Sequence, residues 1–148
     1  MVQPSGDMSD PREERKTRAK AHVERYRRSN GAEDDTRGGH QVLLLTTTGR
    51  KSGRPFVVPL MYFPDGDRQL IVASNYGDER APDWYRNLVA HPVVRVQIGA
   101  GEFDATARAT DGEERSRLWK ALIKQAPFYG RYQKNMQRQI PLVLLERQ

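Results

Sequence analysis

The chain has no cysteine among its 148 residues, which excludes disulfides, thiolate nucleophiles and cysteine-ligated metals. Its three histidines, His22, His40 and His91, are scattered, and none stands at metal-ligand spacing from another, so no zinc or iron site is expected. Apolar runs never exceed four residues, as in Val42-Leu43-Leu44-Leu45, too short to span a bilayer. No apolar core follows the charges of the N-terminus, so no secretory signal is expected and a cytosolic protein is the default. Neither Ser52 nor Ser74 sits in a nucleophile-elbow motif, and no Asp/His pair is placed beside them by local sequence. If the chain is an enzyme, a bound cofactor carries its chemistry.

The net charge of +6 is unevenly spread. Between Arg12 and Arg28, eight Arg/Lys residues oppose only Glu13, Glu14 and Glu24, and the rest of the chain is close to neutral. A polar helix to about Arg28 is expected. Its apolar stripe, Ala19, Val23 and Tyr26, is too narrow for membrane insertion. That leaves a solvated face or a peripheral contact with anionic lipid. A nucleic-acid reader would interleave its cations with exposed aromatics, and here the aromatics lie elsewhere, so no nucleic-acid partner is expected.

The stretch Thr46-Thr47-Thr48-Gly49-Arg50-Lys51-Ser52-Gly53-Arg54-Pro55 concentrates three cations, two glycines and hydroxyls in a turn between apolar strands. Glycine permits backbone bends in which successive N–H groups point one way, and the cations add charge. Such a turn suits a phosphate or a carboxylate. It is not a Walker loop, because the glycine spacing differs and Pro55 opens an extended segment. A solvated basic hairpin turn is the alternative.

Residues 1–39 read as a flexible N-terminus, the basic helix and a loop; residues 40–148 read as one folded domain. Strands are expected at Val42–Thr48, at Phe56–Phe63, where Pro59 implies an edge or a bulge, and at Gln69–Ser74 after a Pro64–Asp67 turn. Asp83 would cap a helix Trp84–Ala90 that carries Trp84, Asn87 and Leu88 on one face. Val94, Val96 and Ile98 alternate with polar residues, and Phe103–Ala109 gives the antiparallel partner beyond Gly99-Ala100-Gly101. Asp111 and Glu114 have the spacing of a capping box for a helix to about Gln125. A short helix at Phe128–Tyr132 and a buried strand Ile140–Leu145 follow. Tyr129 and Tyr132 either line one side of a pocket or pack under that strand. Five or six strands, joined largely by hairpins, indicate α+β with a small, mainly antiparallel barrel.

Several ordered motifs then agree: Leu44–Pro55, Pro59-Leu60-Met61-Tyr62, Asp65-Gly66-Asp67, Ala73-Ser74, Pro82–Leu88, His91-Pro92, Tyr129–Gln133 and Ile140-Pro141. Together they resemble the deazaflavin-dependent nitroreductase and quinone reductase family of actinobacteria, over roughly residues 40–148. The resemblance implies a split β-barrel like that of FMN-binding oxidases. It also implies coenzyme F420, a 5-deazaflavin with a phosphodiester and a polyglutamate tail, whose reduced form gives hydride to quinones, nitroaromatics or similar small electron-poor acceptors. On that reading Arg50, Lys51, Ser52 and Arg54 hold the phosphate or acidic tail, and Val58, Pro59, Ala73, Ser74 and Asn75 line the ring. Trp84, Tyr85 and Asn87 close the cofactor pocket, while Met61, Ser74, Trp84, Tyr129 and Tyr132 face the acceptor. Tyr129, Tyr132 or Ser74 would donate to the oxygen that gains charge, Tyr129 first. Phe56, Met61 and Asn75 depart from the family pattern, which bears more on tail length and nitroreduction than on quinone reduction. The same barrel binding FMN and a non-catalytic deazaflavin carrier are the rival readings. Barrels of this kind often pair as homodimers.

Overall fold

Residues 11–32 and 39–148 are described by the computed structural model. The flexible lead-in read over residues 1–10 and most of the acidic loop fall outside them. The apolar, β-branched run Val42–Thr48 forms β1 as expected. It pairs antiparallel with β2, Pro55–Met61, and with β5, Val93–Ile98. β6, Gly101–Ala109, returns from β5 through the glycine turn. β3, Phe63–Asp65, and β4, Arg68–Val72, make a hairpin, and β7, Leu142–Arg147, lies between β4 and β6. The sheet order is β2-β1-β5-β6-β7-β4-β3.

β2 and β3 occupy opposite margins of this sheet, yet only Tyr62 separates them in the chain. One stretch therefore supplies both edges and curls the sheet into a half-barrel. This corrects the single strand expected over Phe56–Phe63 and raises the strand count among the described residues to seven. The apolar residues run through the bend without interruption, because Tyr62 is itself buried in the inner core. Its N–H makes a last bond to the Gln41 carbonyl at 3.0 Å before Phe63 pairs with Leu70. Pro59 lies on an edge strand, where its missing N–H costs nothing. Beyond the Val72–Leu142 pair the next rung keeps only one bond, from the Ala73 N–H to the Pro141 carbonyl at 3.0 Å, because Pro141 has no N–H to return; β4 therefore ends at Val72 and β7 begins at Leu142 instead of Ile140.

Four helices flank the sheet among the described residues: α1 Pro11–Ser29, α2 Asp83–Ala90, α3 Gly112–Gln125 and α4 Phe128–Lys134. Of the two expected caps, one shifts by a residue and the other keeps its place without its side-chain bonds. Pro82 occupies the N-cap of α2, and Asp83 sits in the first turn, where it pairs with Arg50. Asp111 caps α3 without a side-chain bond, and Glu114 takes Arg108 at 2.8 Å instead of reaching back. Asp83 lies one residue too far into the helix to cap it, and the Glu114 carboxylate is engaged by Arg108 instead of the cap N–H. The basic helix α1 docks through Val23 and Tyr26 on Val42, Leu44, Val57 and Met61. The buried Tyr26 hydroxyl accepts the Gly99 N–H at 2.8 Å and donates to the Val42 carbonyl at 3.2 Å.

An ionic network ties β3, β4, β6, α3 and β7 together. Arg68 meets Asp65 at 2.6 Å and Glu146 at 3.3 Å; Arg108 meets Glu114 at 2.8 Å and Glu146 at 3.0 Å. The Arg117 guanidinium, with Arg68, holds the Asp65 carboxyl below its usual range, and Arg108 does the same for Glu114 and Glu146. Carboxylates depressed in the folded state contribute fully above their unfolded pKa, and the contribution disappears as pH falls through the folded values. Thermal melts should therefore show a loss of stability below about pH 4 that is smaller in Arg108→Gln than in the native chain. Equal acid sensitivity in both would rule the network out as its source.

Candidate active site

The loop between β1 and β2 folds into a tight elbow. The Gly49 N–H donates to the Arg54 carbonyl at 2.7 Å, and the Gly53 N–H to the Gly49 carbonyl at 2.9 Å. Gly53 takes a left-handed φ of 73°, and a Cβ on Gly49 would lie 2.6 Å from Ser52 Oγ. Gly53 is thus required by the backbone of the turn, while a side chain at Gly49 would have to displace Ser52 and Phe56. Lys51, Ser52 and Arg54 are exposed, and neither Lys51 nor Arg54 has an ion-pair partner among the described residues. Ser52 Oγ accepts the Arg54 N–H at 3.2 Å.

Arg50 is engaged differently. Its backbone N–H and its Nη1 both donate to Asn87 Oδ1, at 3.2 and 2.8 Å, and its Nη2 reaches Asp83 at 3.3 Å. Asn87 Nδ2 in turn donates to Thr47 Oγ1 at 3.2 Å, with both Asn87 and Thr47 buried. The amide of Asn87 therefore welds α2 to the end of β1 and braces the elbow through Arg50. Two exposed cations and a hydroxyl are left to meet an anion.

The second part of the site follows β4. Asn75, Tyr76 and Gly77 have φ values of 48°, 58° and 83°, a left-handed run in which two residues carry side chains. Each such side chain costs about 1 kcal/mol or more. Arg138 holds this loop, donating to the carbonyls of Asp78 at 3.0 Å, Ala73 at 3.2 Å and Ser74 at 3.0 Å. Glu79 completes the clamp by accepting the Gln137 and Arg138 N–H groups at 2.9 and 3.2 Å. Against it stand Tyr129 and Tyr132 of α4, with ring centroids 6.3 Å apart. A Cβ on Gly77 would lie 3.1 Å from the Tyr132 ring, so glycine admits this contact. Burial, with the phenols of Tyr132 and Tyr76 nearby, pushes the Tyr129 pKa well above the usual phenol range. Tyr129 stays protonated at neutral pH and can act as a donor. The hydroxyls of Ser74, Tyr76, Tyr129 and Tyr132 make no hydrogen bond among the described residues. Ser74 and Tyr129 are buried as residues, but Gln69 Oε1 is the only buried side-chain oxygen or nitrogen left without a partner among the described residues, so both hydroxyls open onto the site's surface.

The other expected residues divide. Val58 packs on the inner core beside Trp84 and Tyr85, whose rings meet edge to face at 6.4 Å. Pro59 faces Leu44 in the ladder, and Ala73 is fully buried. Asn75 turns its amide to the Arg80 carbonyl at 2.8 Å. Met61 lies in the cluster beneath α1, separate from the cluster that holds Tyr129 and Tyr132. Sequence reading missed Arg138 and Glu79, two charges in polar stretches whose partners are distant in the chain. It also missed Arg15, whose guanidinium lies 4.9 Å over the Tyr76 ring.

A curled antiparallel sheet with its polar groups gathered on connecting loops places the chain among the split-barrel cofactor-binding proteins. The family model of the F420H(2)-dependent quinone reductases matches residues 18–147, and the chain belongs to that family. It is 40% identical over 131 residues to the F420H(2)-dependent quinone reductase Rv1261c of Mycobacterium tuberculosis, covering 82% of this chain and 85% of that protein. A solved F420-H2 dependent reductase, FDR-A, shares 42% identity with a TM-score of 0.66, over 72% of this chain and 94% of its own. A second solved structure, described as a domain-swapped dimer, shares 39% identity with a TM-score of 0.68, over 80% and 87% of the two chains.

Proposed function

We propose that this chain reduces quinones with the reduced deazaflavin F420. The observation that carries the reading is the pairing, within one family fold, of an exposed cationic elbow with a set of donors that have no internal acceptor. Lys51 and Arg54, with Ser52, meet the phosphate or the acidic tail, and Arg50 adds charge while bracing them. The deazaflavin, when bound, supplies hydride only, because carbon stands where a flavin has nitrogen. Val58, Pro59, Ala73, Ser74 and Asn75 flank the ring, and Trp84, Tyr85 and Asn87 close the pocket. Tyr129 donates a hydrogen bond to the quinone oxygen as it gains negative charge, with Tyr132 and Ser74 beside it. Such a donor, carried on a buried ring, stabilises charge that develops only in the transition state. The acceptor must be held near attack distance, about 3–3.5 Å.

FMN carries no polyglutamate and needs less positive charge than this elbow offers. The cations of α1 suit a peripheral contact with anionic lipid, where apolar quinones partition, and pairing of two copies is proposed by likeness to the domain-swapped relative. The test titrates the apo-protein with oxidised F420 and with FMN, following Trp84 and Trp119 fluorescence. The reduced complex is then mixed with menadione, and return of the oxidised cofactor's absorbance near ~400–420 nm is followed. Tight F420 binding with turnover is expected. Binding without turnover would make the chain a carrier, and preference for FMN would end the reading.

A further inference from the structure

Tyr76 is 62% exposed and has a backbone conformation that glycine would adopt without cost. The bonds that hold its loop, from Arg138, Glu79 and Asn75, all go to backbone groups or to other side chains, and none needs the Tyr76 ring. Packing does not account for a large aromatic here. The ring is nevertheless braced. Arg15 lies 4.9 Å over its face, on the helix that Tyr26 pins to the barrel. The two helix positions are eleven residues apart, roughly 16 Å along the axis. α1 thus runs from the Met61 cluster to the mouth of the loop. The next residue, Gly77, lies against Tyr132, whose ring neighbours the proposed donor Tyr129.

We propose that Tyr76 stacks on the bound quinone and sets its affinity, with Arg15 of α1 bracing the other face of the ring. The inference rests on the quinone-reduction reading and adds a specificity-determining residue to it. An electron-rich phenol face and a planar, electron-poor quinone stack favourably in offset geometry. The family match begins at residue 18, so the Arg15 brace lies outside what the family defines. Acceptor preference would then be tuned from a helix end rather than from the barrel.

The experiment compares Tyr76→Gly, Tyr76→Phe and Arg15→Ala by two readouts: KM and kcat for menadione, and equilibrium binding of menadione to protein loaded with oxidised F420, where no turnover occurs. Glycine suits the local φ, so Tyr76→Gly should fold, as a thermal melt will verify. In Tyr76→Gly, menadione KM and Kd should each rise about tenfold, with kcat changed less than about threefold and F420 affinity unchanged. Tyr76→Phe should stay within about twofold of the native chain, and Arg15→Ala should raise KM about threefold. The proposal is overturned if Tyr76→Gly leaves menadione binding unaltered, if Tyr76→Phe is equally impaired, or if F420 affinity falls in parallel. A native chain that binds F420 but reduces no quinone would end the functional reading and this one with it. Normal native turnover with indifferent Tyr76 variants would end this one alone.

Discussion

Lys51→Glu and Arg54→Glu combined should weaken F420 binding by about a hundredfold or more, from the loss of two charge-assisted contacts and their replacement by repulsion. Both side chains are exposed, so the substitutions should leave the melting temperature nearly unchanged. Raising the salt concentration should weaken binding to the native chain and leave the double variant less affected, since exposed charges are screened. Tyr129→Phe should behave in the opposite way. Its hydroxyl has no partner within the described protein, so F420 affinity should stay within about twofold, while kcat falls on the order of a hundredfold through loss of a transition-state donor. Isothermal titration and single-turnover absorbance separate the two variants. Equal losses of affinity in both would show that the elbow and the tyrosine have been given the wrong roles.

Asn87→Leu should be strongly damaging to stability, costing about 3 kcal/mol, a fall in Tm of roughly 10 °C. Leucine fills a similar volume, so the loss comes from partners left unsatisfied. The Thr47 hydroxyl, in a fully buried position, loses its donor, and Arg50 loses the acceptor of both its backbone N–H and its guanidinium. Asn87→Asp keeps the two bonds to Arg50 and forfeits only the donation to Thr47, so it should fall between the native chain and Asn87→Leu. Affinity for F420 should drop with stability, because the elbow loses its brace. A melting temperature unmoved by Asn87→Leu would mean that the amide bonds contribute nothing net.

The same residues show what a sequence can reveal. β1 was legible from end to end, because Val42–Thr48 is an uninterrupted apolar, β-branched run. The basic elbow was legible because glycines and cations sit together locally, and the structure does form a tight turn there. The Phe56–Phe63 strand was misjudged because its bend at Tyr62 is imposed by closure of the sheet, a demand made by β4 and β1 together. Asp83 and Glu114 carry cap chemistry, yet Arg50 and Arg108 claim them from 33 and 6 residues away. The clamp by Arg138 spans 60 to 65 residues, and no local pattern announces it. Local order writes the elements into the sequence; the site depends on which arginine meets which carbonyl after they assemble.

The position of β7 in the sheet has a consequence for biosynthesis. It is the last of the seven strands to be made, yet it lies inside the sheet, between β6 and β4. Until it leaves the ribosome, the β3–β4 hairpin has nowhere to pair, and the loop that carries Ser74 and Tyr76 has no footing. Nascent chains that lack β7 will therefore hold only the β2-β1-β5-β6 side of the barrel, and competence for electron transfer will wait for β7 to join its two sides.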